Sequence, residues 1–190
     1  MISVIDAAAC KRLSTISLEL QGLFMTNESA PTISHLLGEM AWLMTQSPIH
    51  RAMPIDALEW LCMPALIKRQ FYIFRDGDRP VGLALWAKCE EKAAAKLEGG
   101  MIEPENRLTL EQWGGGDQIW LVDLIAPFAD NANRQREIMI ADLISGPLKG
   151  EEFRFHQTDP KTGKRVVQTI DADAGEKLKA AVEAASATKQ

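Results

Sequence analysis

The 190-residue chain carries only three cysteines, Cys10, Cys62 and Cys89, far apart and odd in number. They make neither a disulfide framework nor a zinc pattern. Each is expected as a small buried apolar residue. No stretch approaches the roughly 18 consecutive apolar residues that cross a bilayer. The N-terminus has no basic segment followed by a long apolar run, so no signal peptide is expected, and a reduced, cytoplasmic setting follows. Basic charge is not in excess. The net charge is −5, which argues against nucleic acid as a partner. There is no Gly-x-Ser-x-Gly elbow, no Walker-type phosphate loop and no dinucleotide fingerprint. The three histidines lack metal-ligand spacing, so no metal is expected.

What is present centres on Ile119–Asp130, the most apolar run in the chain. Closed by Pro127, it reads as a strand buried on both faces. Alternation places Ile119, Leu121, Asp123 and Ile125 on one face and Trp120, Val122, Leu124 and Ala126 on the other. Asp123 is then a carboxylate in apolar company, which is costly unless it is paired or hydrogen-bonded. Two readings stand at this point. Asp123 is either a structural residue bonding a loop or an arginine, or a site carboxylate with a histidine partner.

The rest of the chain frames that strand. Residues 2–28 read as an amphipathic helix ended by Pro31. A second helix starts near Thr32 or Ser34, buries Leu36, Leu37, Met40, Leu43 and Met44, leaves Trp42 off the stripe, and stops before Ser47-Pro48. Pro54 opens a third, with Leu58, Leu61 and Cys62 inward, and Pro64 is expected to break or kink it. Residues 70–86 read as a β-hairpin turning at Asp76-Gly77-Asp78. Glu90–Glu98 reads as an exposed helix ended by Gly99-Gly100. Residues 101–118 are a long connection whose glycine run 114–116 signals little beyond flexibility. A helix from about Ala132 to Ile144, capped by Asp130 or Asn131, turns Ile138, Ala141 and Leu143 or Ile144 inward. Residues 152–157 and 165–170 read as paired strands around a turn at 159–163, and an Ala-rich helix follows from Asp173. The fold expected is a single α/β domain with a mainly antiparallel sheet.

Candidate chemistry is sparse. His35 reads as surface and His156 as lying on the polar face of a strand. His50 sits in a loop beside Ser47 and Arg51. A histidine titrates near neutral pH, and a carboxylate such as Asp123 fixes its tautomer and raises its basicity. Spacing alone does not bring the two together.

Several segments together are similar to the toxin-activating lysine acyltransferases, the partners of RTX (repeats-in-toxin) protoxins. They are Ser47-Pro48-Ile49-His50-Arg51, Leu61…Met63-Pro64-Ala65-Leu66, the 71–86 hairpin, Val122 to Asn131 and Thr158 to Thr162, in matching order over about residues 36–170. The resemblance implies a GNAT-like domain over residues 35–190, with residues 1–34 as an added helical extension. It implies transfer of a fatty acyl group from acyl carrier protein to internal lysines of an RTX protoxin, and it suggests a homodimer. The family's essential histidine and aspartate fall on His50 and Asp123, and its serine falls on Ser47. His50 would act as general base or accept the acyl group itself. One departure is Leu124, where family members commonly carry Trp. After the strand, residues 130–136 lack the glycines of a coenzyme A loop, which fits a phosphopantetheine-bearing carrier as donor. Such carriers are acidic, so Arg51, Arg134 and Arg136, with Lys68 and Arg69, are candidate contacts. The alternatives are an acyl-coenzyme A-dependent N-acyltransferase acting on another amine, and a non-catalytic module that holds a secreted protein.

Overall fold

The computed structural model describes residues 30–101, 103–130, 132–158, 164–177 and 180. The helix expected over 2–28 and the turn at 159–163 lie outside the described residues. The compact unit begins at Ile33.

Its frame is a five-stranded sheet in the order β1-β2-β3-β4-β5. The strands are β1 (Phe71–Asp76), β2 (Arg79–Cys89), β3 (Gln118–Ile125), β4 (Phe153–Thr158) and β5 (Arg165–Ile170). Only β3 and β4 run parallel; every other neighbouring pair is antiparallel. The helices are α1 (Ile33–Gln46), α2 (Met63–Lys68), α3 (Glu91–Glu98) and α4 (Gln135–Ser145). The domain is therefore mixed α/β with a mainly antiparallel sheet, compatible with the GNAT-like expectation.

Two apolar layers hold it. On one face, Met40 and Leu43 of α1, Ala65 and Leu66 of α2 and Leu97 of α3 pack against Leu83, Leu85, Trp120 and Ile125. On the other, Met139 and Leu143 of α4 pack against Trp86, Ile119, Leu121 and Phe153. Each Leu, Ile, Met or Phe among them, fully buried, contributes about 1.5–3 kcal/mol.

Several elements depart from the pattern reading. α3 is not simply exposed. Ala93, Ala94 and Leu97 are buried, because alanine lets a helix backbone approach the sheet closely. Pro64 does not end its helix. Leu58–Cys62 forms a π-helical turn in which the Met63 N–H bonds the Leu58 carbonyl, and Pro64 falls in the first turn of α2, where its missing N–H costs nothing. α4 starts only at Gln135. Asp130 Oδ1 accepts from the Ala132 and Asn133 amides, and Asn133 Oδ1 accepts from the Gln135 amide. These bonds use the chain as linked turns, and Arg134 takes a left-handed φ of 49°. Within α4 Leu143 is buried as expected, Met139 is buried with it, and Ile138 is 56% exposed.

The glycine run 114–116 is packed rather than loose. A Cβ on Gly116 would lie 2.4 Å from the Cys89 carbonyl carbon and the Glu90 nitrogen. Both are backbone atoms with nowhere to retreat. Gly116→Ala should therefore cost about 1–3 kcal/mol, read as a lower urea midpoint at unchanged m-value.

Candidate active site

The site begins where α1 stops. Pro48 ends the helix, and the chain winds into a 3-10 turn, His50–Ala52. The Arg51 N–H bonds the Ser47 carbonyl at 3.0 Å, and the Met53 N–H bonds that of His50 at 2.9 Å. The bond from Arg51 back to Ser47 closes the chain over residues 47–51, which brings the Ser47 side chain to His50. Ser47 Oγ lies 2.7 Å from His50 Nδ1. Ser47 and His50 are 6% and 9% exposed, so neither is an incidental loop side chain.

The third member comes from β3. Asp123 Oδ2 lies 2.8 Å from His50 Nε2. The Asp123 side chain is 24% exposed, enough for a route to solvent.

Strict alternation does not put Asp123 there. It would place Asp123 with Ile119 and Leu121, which belong to the layer under α4. The ladder with β2 instead pairs Leu85 with Asp123 and Trp86 with Leu121, leaving Val122 as an extra residue. This β-bulge shifts the phase. Val122 packs toward the α1 side, with Trp120 and Ile125, and Asp123 reaches His50 on that same side. Bulges at active sites re-aim side chains in this way. No glycine marks this one in the sequence, so nothing local betrays it.

The hydrogen bonds set the proton positions. A carboxylate only accepts, so His50 Nε2–H donates to Asp123. In the neutral ring Nδ1 then carries the lone pair and accepts from the Ser47 hydroxyl. Burial is the largest single influence on the His50 pKa and lowers it. The hydrogen bond to Asp123 and its charge both raise it and together prevail, so the value stands above the ordinary 6.5.

The two thiols among the described residues, Cys62 and Cys89, are not nucleophiles. Burial, reinforced by the Asp123 charge, pushes the Cys62 thiol up to about 12. Burial pushes Cys89 up to about 11. Both stay protonated at neutral pH.

The other histidines stand apart. His35 is exposed, 3.7 Å from Glu39. His156 donates from Nε2 to the Leu97 carbonyl at 2.7 Å and rests against Trp120 at 5.6 Å; its role is packing. Arg51, Arg134 and Arg136 are all exposed. Arg134 approaches Glu137 at 3.9 Å. Among the described residues no hydrogen bond or ion pair joins the guanidinium group of any of the three to the Ser47–His50–Asp123 trio. The off-stripe Trp42 does have a surface to cover: it meets Phe128 at 6.2 Å, and Arg79 lies over the far ring at 4.7 Å. This cluster ties α1 to the loop after β3, the two elements that carry the site. Among the described residues no group of three or more His, Cys, Asp or Glu is placed to hold a metal ion.

Comparison with known proteins points the same way. The profile of the RTX toxin acyltransferase family matches residues 29–171. The chain is 29% identical over 133 residues to the RTX-II toxin-activating lysine-acyltransferase ApxIIC of Actinobacillus pleuropneumoniae, covering 68% of this chain and 77% of that one. It is 30% identical over 127 residues to the protein-lysine myristoyltransferase HlyC of Escherichia coli, covering 67% and 69%. It is 28% identical over 156 residues to the leukotoxin-activating lysine-acyltransferase LktC of a Pasteurella haemolytica-like species, covering 76% and 92%. The profile match takes in both the Ser47–His50 turn and the Asp123 strand. The chain belongs to the RTX toxin acyltransferase family and is an acyltransferase.

Proposed function

We propose that this chain moves a fatty acyl group from the phosphopantetheine thioester of acyl carrier protein to lysine ε-amines of an RTX protoxin. The observation that carries this reading is the hydrogen-bonded Ser47–His50–Asp123 chain in a family whose named relatives act on toxins. In this reading residues 35–190 are the transferase domain, residues 1–34 are an extension of it, and the working unit is a cytoplasmic homodimer.

The chemistry follows from the tautomer. A lysine with the ordinary pKa near 10.4 is only about 0.04% free amine at pH 7; the ammonium first gives one proton to solvent, and a base takes a second as the free amine attacks. The amine nitrogen forms the bond to the thioester carbonyl carbon. Its proton passes to the Ser47 oxygen as the Ser47 hydroxyl proton passes to His50 Nδ1. Asp123 holds the imidazolium that results. The C–S bond then breaks, and the carrier thiolate recovers the proton from His50. Both ring nitrogens of His50 are already engaged, which favours this general-base route over an acyl-histidine intermediate. β3 supports an extended donor arm. It pairs with β4 only over Ile119–Leu121, so its next residues offer an open backbone edge beside Asp123 to the amides of a pantetheine.

The test is co-expression with an RTX protoxin encoded beside this gene or, failing that, a related one, and a mass-spectrometric search for acylated lysine. Acylated peptides from wild type and none from His50→Ala support the reading. A protoxin left unmodified by wild type overturns it, and acylation that survives in His50→Ala discards the mechanism. Donor choice is read by supplying acyl carrier protein or coenzyme A thioester to the purified enzyme. Arg134 and Arg136 are the proposed carrier contacts. Reversing both to Glu should raise the KM for the carrier about tenfold, through encounter rather than chemistry. An unchanged KM removes them.

A further inference from the structure

We propose that a groove beside the π-helical turn binds the acceptor polypeptide, as a basic segment flanking the lysine to be modified. This rests on the protoxin-lysine reading above and adds to it a surface separate from the Ser47–His50–Asp123 chain.

The groove encloses about 570 Å³, within the range of ligand sites. Met63 and Ile67 line it on the helical side, and Leu108 and Leu110 line it from the long connection. Ile67 and Leu110 remain 51% and 43% exposed, so apolar surface lies open with nothing of the described chain over it. Arg107 stacks on Trp60 at 4.3 Å inside the groove. Arg107 Nε and Trp60 Nε1 are both shut off from water with no acceptor. Two donors held dry in one wall suit the carbonyl oxygens of an extended chain once Arg107 lifts from the ring. The π-helical turn supplies Glu59 and Trp60 to this wall, and such turns recur at functional sites.

Charge decides among occupants. Asp56 and Glu59 also line the groove, against one cation, Arg107, and among the described residues neither carboxylate forms an ion pair. A fatty acyl chain lying there would set methylenes against two carboxylates. An acidic carrier protein would be repelled by them. A lysine-bearing segment gains from both carboxylates and from the apolar walls. Asp56 follows His50 by six residues, so their Cα atoms lie no more than about 20 Å apart. An extended peptide of about six or seven residues is long enough to span that distance.

The test uses a peptide centred on a protoxin lysine that the wild-type enzyme acylates. Its affinity for the full-length enzyme is measured without donor, by fluorescence anisotropy, for wild type, Asp56→Asn/Glu59→Gln and Asp56→Lys/Glu59→Lys. The neutral pair should bind several-fold more weakly and the reversed pair at least tenfold more weakly. In turnover, the acceptor KM should rise in the same order, with kcat at saturation and donor KM unchanged. That unchanged donor KM also shows that the variants fold. Unchanged peptide affinity in both variants overturns the groove while leaving the function intact. A rise in donor KM in place of acceptor KM assigns the groove to the donor and overturns the proposal too. A wild-type enzyme that acylates no lysine of its neighbouring protoxin overturns the function reading, and this inference falls with it.

Discussion

His50→Ala should lower kcat for acyl transfer by about 10²–10⁴-fold, the usual contribution of a positioned base, while the protein stays folded. The loss is large because nothing nearby can substitute. Ser47 has an acceptor for its proton only in His50 Nδ1, at 2.7 Å. Cys62, whose burial and thiol pKa of about 12 keep it protonated, is no base. The fold survives for a different reason. Removing the ring leaves Asp123 without its donor, but that side chain is 24% exposed, so water replaces the lost bond at a cost of about 1–2 kcal/mol. Single-turnover transfer from preformed acyl carrier protein, alongside a thermal midpoint, separates the two effects. A lost rate with a midpoint a few degrees lower is the expected pair of results. Retained rate would remove His50 from the proton path.

Asp123→Asn is the companion experiment, and its signature is a shift in pH dependence as well as a loss of rate. His50 must be neutral to accept a proton. Its pKa stands above 6.5 because the Asp123 bond and charge outweigh burial. The wild-type rate, corrected for the free-amine fraction of the acceptor lysine, should therefore rise with pH and level off only above the ordinary histidine range. Asparagine keeps the shape and removes the charge. Burial then acts with less opposition, and the ascending limb moves to lower pH. The plateau should also fall by about 10²–10⁴-fold, since an imidazolium is no longer held by a carboxylate. The stability effect has the opposite direction. A folded pKa raised above the unfolded one gives stability that is complete below pH 6.5 and fades as pH rises through the folded value. The wild-type advantage over Asp123→Asn in thermal midpoint should thus shrink from mildly acidic to alkaline buffer. A limb that stays in place would mean that His50 is not the titrating group.

Local pattern made much of this legible. Pro48 marked the end of α1, glycine and aspartate marked the 71–89 hairpin, and the apolar run marked β3. These are signals carried by a few adjacent residues. Trp42, off the α1 stripe, correctly pointed to a second surface. The site required more. Ser47 and His50 are neighbours in a tight turn, and the residues favour that turn. The bond from His50 to Asp123 joins positions 73 residues apart, and no periodicity encodes such a meeting; the family resemblance supplied it. The face of Asp123 was misjudged because Val122 bulges without a glycine to announce it. On α4 Leu143 is buried as expected and Met139, not Ile138, joins it; the start of the helix was misjudged because Asp130 and Asn133 spend their side chains on turns before Gln135. Trp60 and Arg107 gave no signal, since their stacking couples a helix to an irregular connection.

The bulge has an implication for how this strand tolerates change in length. Val122 is counted by the chain but not by the ladder. A chain one residue shorter at that position keeps Trp120, Asp123 and Ile125 on one side and Leu121 and Leu124 on the other. It gains a regular ladder and loses the local bend, together with the packing of the Val122 side chain on the α1 side. Val122 is slack in the strand's count, next to the carboxylate whose facing the active site depends on.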